Sequence, residues 1–372
     1  MEGSNQTKIK IMNIVGARPN FMKIAPIQRI MLASDLCHPV LVHTGQHYDE
    51  VMSKIFFEDL EMPHPDHYLG VGSGSHAQQT AAIMVKLEEI MRNLKPDLIL
   101  VVGDVNSTLA ASIVAAKLHI PIAHVEAGLR SFDRNMPEEI NRMLTDAVSD
   151  YLFVTEESGK HNLISEGVAA NKIHFVGNVM IDSLLYFKEK AKRTQLTQKI
   201  EIDHQPYALL TLHRPSNVDF QETFSKILDA LDDIQKKIQI IFPIHPRTRK
   251  MIDRFGLTER VKNMSNFKLV DPLGYLEFLK LMIDTTFILT DSGGIQEETT
   301  ALSIPCLTLR ENTERPATVT LGTNIIVGMN PDKIRKHSFD ILNGDIKKGA
   351  IPPLWDGKAA ERIVNIVESS IK

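Results

Sequence analysis

The 372-residue sequence has few cysteines and no long apolar run. Two cysteines, Cys37 and Cys306, are too few and too far apart for a disulfide framework or a thiolate metal site, so we expect both as reduced, buried thiols. No stretch approaches the ~20 apolar residues that a membrane span needs, and residues 1–8 show no apolar segment after a basic start. We therefore expect a cytoplasmic protein.

Other absences narrow the possible ligands. The formal net charge of -4 provides no broad basic field for nucleic acid. The sequence has no Walker A motif, and no G-x-G-x-x-G follows the first apolar run, which disfavours a nucleoside triphosphatase and an ordinary dinucleotide enzyme. The glycine-rich stretch 70–75 lacks the strand and helix context of a phosphate loop, so we expect a flexible loop there.

Short runs rich in Val, Ile and Leu alternate with longer amphipathic segments along the whole chain. This pattern is typical of βαβ units around a buried parallel sheet. The predicted strands are Ile9–Val15, Val40–Thr44, Leu98–Val102, Ile122–Val125, Tyr151–Thr155 and Ile173–Val176 in the first half, and Tyr207–Leu212, Ile238–Ile244, Phe267–Val270, Phe287–Thr290, Cys306–Leu309 and Thr323–Val327 in the second.

The length favours two domains, each large enough to bury its own core. We predict an α/β fold of two Rossmann-like, doubly wound domains with a cleft between them. The first comprises residues 1–182 and the second residues 183–357, with a C-terminal helix at 358–372 that packs back on the first. A polar stretch, Ile181–Lys199 followed by Glu201–Pro206, is the expected hinge.

Polar and ionisable residues directly follow several predicted strands. Ligands of open α/β sheets bind at the carboxyl ends of the strands, so these residues predict a site on one rim of each sheet, facing the cleft. The segments are Gly16-Ala17-Arg18-Pro19, Gly103-Asp104 and Glu126-Ala127-Gly128 in the first half, and His213-Arg214-Pro215, His245-Pro246 and Asp291-Ser292-Gly293-Gly294 in the second.

The segment from Asp291 to Gly294 leads into an amphipathic helix. Its two glycines let a phosphate approach the backbone, and a helix N-terminus favours negative charge; a plain turn capped by Ser292 or Asp291 is the alternative. Glu298, one turn into the helix, is placed to accept from ribose hydroxyls. Three cationic side chains can grip a diphosphate, or else stay solvated or pair with carboxylates: Arg18, Lys23 and Arg315.

Three ionisable side chains that end predicted strands are acid–base candidates. Asp104 and Glu126 end strongly apolar strands, where a carboxylate is costly unless used or paired; helix capping is the alternative for Asp104. His213 ends a buried strand, where a histidine is as often a core residue as a catalyst. A predicted helix that begins with proline places Glu138 and Arg142 four residues apart on one face. If they are exposed, an ion pair between them would carry no function.

Taken together and in order, these segments resemble the non-hydrolysing UDP-N-acetylglucosamine 2-epimerases over nearly the whole chain. Each motif alone is weak, but the set in this order and spacing is specific. The motifs are Gly16-Ala17-Arg18-Pro19 with Lys23, Thr44-Gly45-Gln46-His47, Gly103-Asp104, His124-Val125-Glu126-Ala127-Gly128-Leu129-Arg130, Pro137-Glu138-Glu139 with Asn141-Arg142, Leu212-His213-Arg214, Asp291-Ser292-Gly293-Gly294-Ile295-Gln296-Glu297-Glu298 and Thr313-Glu314-Arg315-Pro316.

The resemblance implies a fold of the glycosyltransferase-B type, a homodimer, and a role in polysaccharide biosynthesis, with no metal or nicotinamide. It implies that UDP-N-acetylglucosamine and UDP-N-acetylmannosamine interconvert by loss and return of the C2 proton and UDP, through a 2-acetamidoglucal. The implied acid–base residues are Asp104, Glu126, Glu138 and His213. The implied substrate-binding residues are Arg18, Lys23, His245, Phe278, Ser292, Gly293, Gly294, Glu298 and Arg315.

This chain departs from the family pattern at several positions. Ala17 and Asn20 stand where the common pattern has Thr and Glu, and Pro215 to Asp219 replace a common Arg-Glu-Asn. Many bacterial members are activated by their substrate through Gln-His-Arg and Arg-Gln segments. Here Tyr48-Asp49 follows Gln46-His47, and the second segment is Gln78-Gln79. We therefore expect little activation by substrate.

Four other functions fit parts of the pattern. A hydrolysing relative would release N-acetylmannosamine and UDP, and a 2-epimerase of a modified UDP-2-acetamido sugar would keep the reaction class. A glycosyltransferase of the same fold would not need Glu126, Glu138 and His213 together. A non-catalytic sensor of nucleotide sugars would be expected to lose acid–base residues first, and all four are present.

Overall fold

A computed structural model describes residues 8–46, 57, 59–194, 196 and 205–371. The chain divides into two compact units: unit 1 comprises Met1–Ser183 and Pro353–Lys372, and unit 2 comprises Leu184–Pro352. The predicted hinge lies partly outside the described residues, and the part from Ile181 to Lys192 is helical. None of the described helices is long and apolar enough to cross a membrane.

Strands and helices alternate along the chain. The strands are β1 (Ile9–Val15), β2 (Cys37–His43), β3 (His67–Tyr68), β4 (Leu98–Val102), β5 (Ile122–Val125), β6 (Tyr151–Val154), β7 (Ile173–Phe175), β8 (Tyr207–Thr211), β9 (Gln239–Pro243), β10 (Phe267–Val270), β11 (Phe287–Thr290), β12 (Cys306–Thr308) and β13 (Asn324–Ile326).

The helices lie between the strands and at the end of the described chain. They are α1 (Arg18–Ala33), α2 (His76–Leu94), α3 (Asn106–Lys117), α4 (Pro137–Val148), α5 (Glu157–Ser165), α6 (Val179–Lys192), α7 (Pro215–Val218), α8 (Gln221–Gln235), α9 (Pro246–Arg254), α10 (Thr258–Lys262), α11 (Tyr275–Asp284), α12 (Gly293–Leu302), α13 (Pro316–Thr320), α14 (Pro331–Leu342) and α15 (Ala359–Ser370); a 3-10 turn spans Ala170–Lys172.

Each unit contains one parallel sheet. In the described part of unit 1 the order is β3-β2-β1-β4-β5-β6-β7, and in unit 2 it is β10-β9-β8-β11-β12-β13. Every residue of β4 and β5 is buried, as expected when helices cover both faces of a sheet. Two parallel sheets with interleaved helices confirm the predicted fold class. All twelve predicted strands are present, and the two-residue β3 was missed.

Strand order places a switch point in each sheet. In unit 1 the chain adds β2 and β3 on one side of β1 and β4 to β7 on the other, so the switch point lies between β1 and β4. In unit 2 it lies between β8 and β11 for the same reason. Ligands of such sheets bind outside the carboxyl ends of the strands at this point. A functional site is therefore expected at the segments that follow these four strands.

Helix α15 belongs to unit 1, although all of unit 2 precedes it in the chain. The Asp182 carboxylate accepts hydrogen bonds from the backbone N–H groups of Ala359 and Ala360, at 3.2 and 2.7 Å, and so holds the first turn of α15. Near the other end, Ser34 Oγ donates to Glu368 at 2.5 Å. Burial of the apolar face of α15 adds packing to these polar contacts.

Candidate functional site

In unit 1 a buried ion pair lies beside the switch point. Lys23, on α1, places its Nζ 2.5 Å from Oε2 of Glu126, which follows β5, and the two side chains are only 7% and 3% exposed. Gly103, after β4, has a φ of +68°, and a Cβ there would lie 2.9 Å from Lys23 Nζ. The absence of a side chain at Gly103 therefore makes room for this pair.

The backbone at Glu126 is strained. Its φ of 72° is in the left-handed region, which a residue with a long side chain adopts only when its surroundings enforce it. Oε1 of Glu126 is buried and has no hydrogen-bond partner in the part of the chain that the structure describes. A buried carboxylate with one open oxygen, held in strained backbone, has the features of a functional group.

Asn20 connects the turn after β1 to the end of β4. Its Oδ1 accepts hydrogen bonds from the backbone N–H groups of Gly16 and Ala17, at 3.2 and 3.0 Å, and its Nδ2 donates to Val102 O at 2.9 Å. Asn20 stands where the common family pattern has glutamate. Its amide fixes the loop from which Lys23 projects.

Asp104 forms an ion pair instead of capping a helix. Val105 is the N-cap of α3, so the capping alternative is wrong. Asp104 Oδ2 lies 2.6 Å from one guanidinium nitrogen of Arg142, whose other nitrogen lies 2.7 Å from Glu139 Oε2. Arg142 thus bridges two carboxylates, and Glu138, its predicted helix partner, is exposed on the first turn of α4.

Glu139 holds the loop that precedes α4. Its carboxylate accepts hydrogen bonds from the backbone N–H groups of Ser131 and Phe132, both at 2.9 Å. Phe132 has a φ of +59° and is among the exposed large apolar residues. The buried carboxylate of Glu139 therefore maintains a strained turn beside Glu138.

A fully buried histidine supports the turns of Gly103 and Glu126. His124 Nε2 lies 2.9 Å from Gly103 O, and its Nδ1 lies 2.6 Å from Asp146, which also pairs with Arg130 at 2.7 Å. Burial raises the pKa of Asp146, but His124 and Arg130 lower it to a net value below the ordinary one. Asp146 also accepts from Gly128 N, so the network fixes both sides of Glu126.

In unit 2 the switch point holds a histidine–aspartate pair. His213, after β8, places Nδ1 2.8 Å from Oδ1 of the buried Asp291, which follows β11. The ring centroid of His245 lies 5.5 Å from that of His213. His245 Nδ1 accepts from Arg247 N at 3.1 Å, so His245 carries its proton on Nε2 when neutral. The sequence anticipated both histidines, but not the partner of His213.

Helix α12 starts immediately after this pair. Ser292 is its N-cap, but the Ser292 side chain makes no capping hydrogen bond, so the alternative of a cap by this hydroxyl is wrong. Gly293 and Gly294 form the first two helical positions. Free backbone N–H groups and the positive end of the helix dipole make this turn suitable for a phosphate.

Arg315 lies against the same turn, between two buried carboxylates. Its Nε is 2.9 Å from Glu297 Oε1 and its Nη1 is 2.6 Å from Glu314 Oε1. A Cβ on Gly293 would lie 2.7 Å from Nη1 of Arg315. Gly293 is thus needed for this close approach, and the two carboxylates fix the guanidinium at the start of α12.

Glu298 is a buried carboxyl group one turn into α12. The Tyr275 hydroxyl donates to Oε1 at 3.2 Å. Burial raises the pKa of Glu298, the Tyr275 hydrogen bond lowers it and the charge of Glu297 raises it, and together they bring the pKa to about 8. Phe278, on α11, is partly buried against the core on this side of the sheet. Glu298 therefore favours its neutral form at neutral pH.

The raised pKa of Glu298 predicts a pH-dependent stability of unit 2. Because the folded state binds this proton more tightly than the unfolded state, its stabilising effect is complete below the ordinary value of 4.5 and is lost as the pH rises through about 8. In Glu298→Gln this contribution should be absent. Hydrogen exchange of the β11 amides across this range measures it, and parallel curves for the two proteins would contradict the prediction.

Some predicted site residues are only partly described. Arg18 begins α1, but its side chain lies outside the described part of the structure. His47, Tyr48 and Asp49 also lie outside the described residues. Among the described residues, no three His, Cys, Asp or Glu side chains come together as metal ligands, and both cysteines are free and buried.

Comparison with known families gives one consistent match. The profile of the UDP-N-acetylglucosamine 2-epimerase family matches residues 32–368. A protein named UDP-N-acetylglucosamine 2-epimerase from Methanocaldococcus jannaschii is 46% identical over 96% of this chain and 99% of its own length. Its crystal structure in complex with UDP-GlcNAc and UDP has a TM-score of 0.90, with 97% of this chain and 100% of that chain covered at 45% identity.

Another relative acts on a different sugar. The Pseudomonas aeruginosa protein named UDP-2,3-diacetamido-2,3-dideoxy-D-glucuronate 2-epimerase is 44% identical over 91% of this chain and 94% of its own length. The two relatives differ by only two percentage points in identity, so overall similarity does not separate the two sugars.

Proposed function

This chain belongs to the UDP-N-acetylglucosamine 2-epimerase family, and from that premise we propose that it interconverts UDP-N-acetylglucosamine and UDP-N-acetylmannosamine without net hydrolysis. The two units contribute different chemistry. Unit 1 provides three carboxylates for proton transfer, and unit 2 provides His213 together with the helix N-terminus and the fixed arginine for the uridine diphosphate.

The buried Lys23–Glu126 pair carries the proposal. Breaking the C2–H bond of a sugar requires a base whose position is fixed before the substrate arrives. Glu126 has one oxygen held by Lys23 and the other without a hydrogen-bond partner among the described residues. The open oxygen is therefore available to take a proton.

The reaction proceeds by elimination and return of the same groups. A base removes the proton from C2, and the electron pair of that C–H bond forms the C1–C2 double bond as the C1–O bond breaks. UDP leaves with the electrons of the broken bond, and 2-acetamidoglucal remains. Addition of a proton to the opposite face of C2 and of UDP oxygen to C1 gives the epimer, with no net gain or loss of atoms.

Each site residue receives a role in this scheme. Asp104, Glu126, Glu138 and His213 are proposed to exchange protons with the sugar and the departing diphosphate. Positive charge and helix N–H groups stabilise the negative charge that develops on the leaving group. The proposed groups for binding UDP are Arg18, Lys23, His245, Phe278, Ser292, Gly293, Gly294, Glu298 and Arg315.

Proton NMR in D2O tests the proposal directly. Incubation with UDP-N-acetylglucosamine should replace the C2 proton with deuterium while the signals of UDP-N-acetylmannosamine grow. Free N-acetylmannosamine accumulating with UDP would place the protein with the hydrolysing enzymes instead. No exchange at C2 at any protein concentration would exclude this substrate.

A modified sugar is the second candidate substrate, because the Pseudomonas aeruginosa relative is almost as similar as the archaeal one. The same NMR assay with UDP-2,3-diacetamido-2,3-dideoxy-glucuronate discriminates the two: the better substrate shows the larger kcat/KM for C2 exchange. The homodimer implied by the resemblance stays a prediction.

A further inference from the structure

Asp291 is surrounded by hydrogen-bond donors from the segment after β8. Its Oδ2 accepts from the backbone N–H groups of His213 and Arg214, both at 2.8 Å, and from Asn217 Nδ2 at 3.1 Å. The carboxyl group is completely buried. Burial raises its pKa, but contacts with His213 and Arg214 lower it to a net value below the ordinary one. Asp291 is therefore ionised at neutral pH.

The second oxygen determines which nitrogen of His213 holds the proton. Oδ1 of Asp291 lies 2.8 Å from Nδ1 of His213, a close charge contact whose angle falls short of a formed hydrogen bond. Two lone pairs at this distance would repel each other, and the ionised carboxylate has no proton to donate. The proton of a neutral His213 ring consequently lies on Nδ1, and Nε2 is left with a lone pair. The His213 side chain is 40% exposed, whereas Asp291 is fully buried.

We propose that Asp291 is a positioning residue for the epimerisation, which holds His213 in the Nδ1–H tautomer so that Nε2 can accept and return a proton. The inference rests on the acid–base role of His213 in the proposed function. Asp291 does not contact the reacting atoms in this proposal. Its carboxylate acts through the ring, both by orienting it and by stabilising the imidazolium formed when Nε2 takes a proton.

The surroundings of Asp291 make asparagine a discriminating replacement. Three donors converge on Oδ2, so the single oxygen of an asparagine must occupy that position. Its NH2 group then takes the position of Oδ1 and donates to His213 Nδ1. Nδ1 of the ring must then accept this hydrogen bond with its lone pair, so the proton of the neutral ring lies on Nε2. Asp291→Asn thus preserves shape and reverses the tautomer.

Nitrogen NMR of protein with 15N-labelled histidine tests the inference, with His213→Gln used to assign the ring signals. In the unmodified protein, at a pH where the ring is neutral, Nδ1 should be protonated and Nε2 bare. In Asp291→Asn the two should exchange roles, and kcat should fall about 100-fold while KM changes little. Asp229→Asn, which alters an exposed ion pair with Arg260, is the matched control and should change neither quantity.

Two results would overturn the inference. One is a proton on Nε2 in the unmodified protein, a measurement that does not depend on whether the variant folds. The other is an Asp291→Asn protein with the reversed tautomer and an unchanged kcat. Failure of the proposed function is distinguishable from both, since it would appear as the absence of C2 exchange in the unmodified protein, whatever the tautomer.

Discussion

Glu126→Gln should lower kcat for epimerisation by about 10³-fold or more with little change in folding. Glutamine has nearly the same shape as glutamate, and its side-chain oxygen can still accept the hydrogen bond from Lys23. It has no basic oxygen at the position of Oε1, which has no hydrogen-bond partner among the described residues. Initial rates of C2 deuterium exchange measure the loss directly.

The matched control for this loss is Glu88→Gln. Glu88 is on α2 and forms an exposed pair with Arg92, so the same chemical change there should leave kcat unaltered. Unchanged fluorescence of Trp355, the single tryptophan of the chain, would verify that unit 1 is folded in both variants. A Glu126→Gln protein with more than a tenth of the normal kcat would remove Glu126 from the proton transfer.

Lys23→Met should destabilise unit 1 by about 3–5 kcal/mol. The substitution removes the positive partner of a carboxylate that is 97% buried, with 3% of its side chain exposed, and an unpaired buried charge is more costly than the pair. The free energy of unfolding is best followed through Trp355. This residue is buried and donates its Nε1–H to Thr155 O at 2.9 Å within unit 1.

The double variant Lys23→Met/Glu126→Gln separates charge from packing. If the loss comes from the unpaired carboxylate, removing that charge should restore most of the free energy of unfolding, because neutral groups of similar shape are tolerated better than a single buried charge. Exposed Lys192, paired with Glu189 on α6, provides the control Lys192→Met, which should be nearly neutral. Equal destabilisation of the single and double variants would contradict the electrostatic explanation.

The fold and the location of the site were accessible from the sequence because both follow from local patterns. Continuous apolar runs mark the strands, and the positions just after them mark the sheet rim. Helix α4 begins at Pro137 as predicted, since proline is favoured at the first helical position. The strand β3 was missed because two residues, His67 and Tyr68, are too few to show an alternating pattern.

The pairings within the site could not be predicted, because they join residues far apart in the chain. Lys23 meets Glu126 across 103 positions, and His213 meets Asp291 across 78. A helix wheel suggested Glu138 as the partner of Arg142, but Arg142 pairs with Glu139 on the same helix and with Asp104, 38 positions away. Spacing alone identifies neighbours on one helix, and it cannot identify the partner that another strand end provides.

The return of α15 to unit 1 affects the order in which the chain can fold during synthesis. Residues 353–370 leave the ribosome only after all of unit 2 has been made. Until then the contacts of Asp182 with the first turn of α15, and of Ser34 with Glu368, cannot form. Domains generally fold as units while the chain emerges, so unit 2 can complete its core first, whereas the nascent unit 1 must wait for the last helix with part of its apolar surface uncovered.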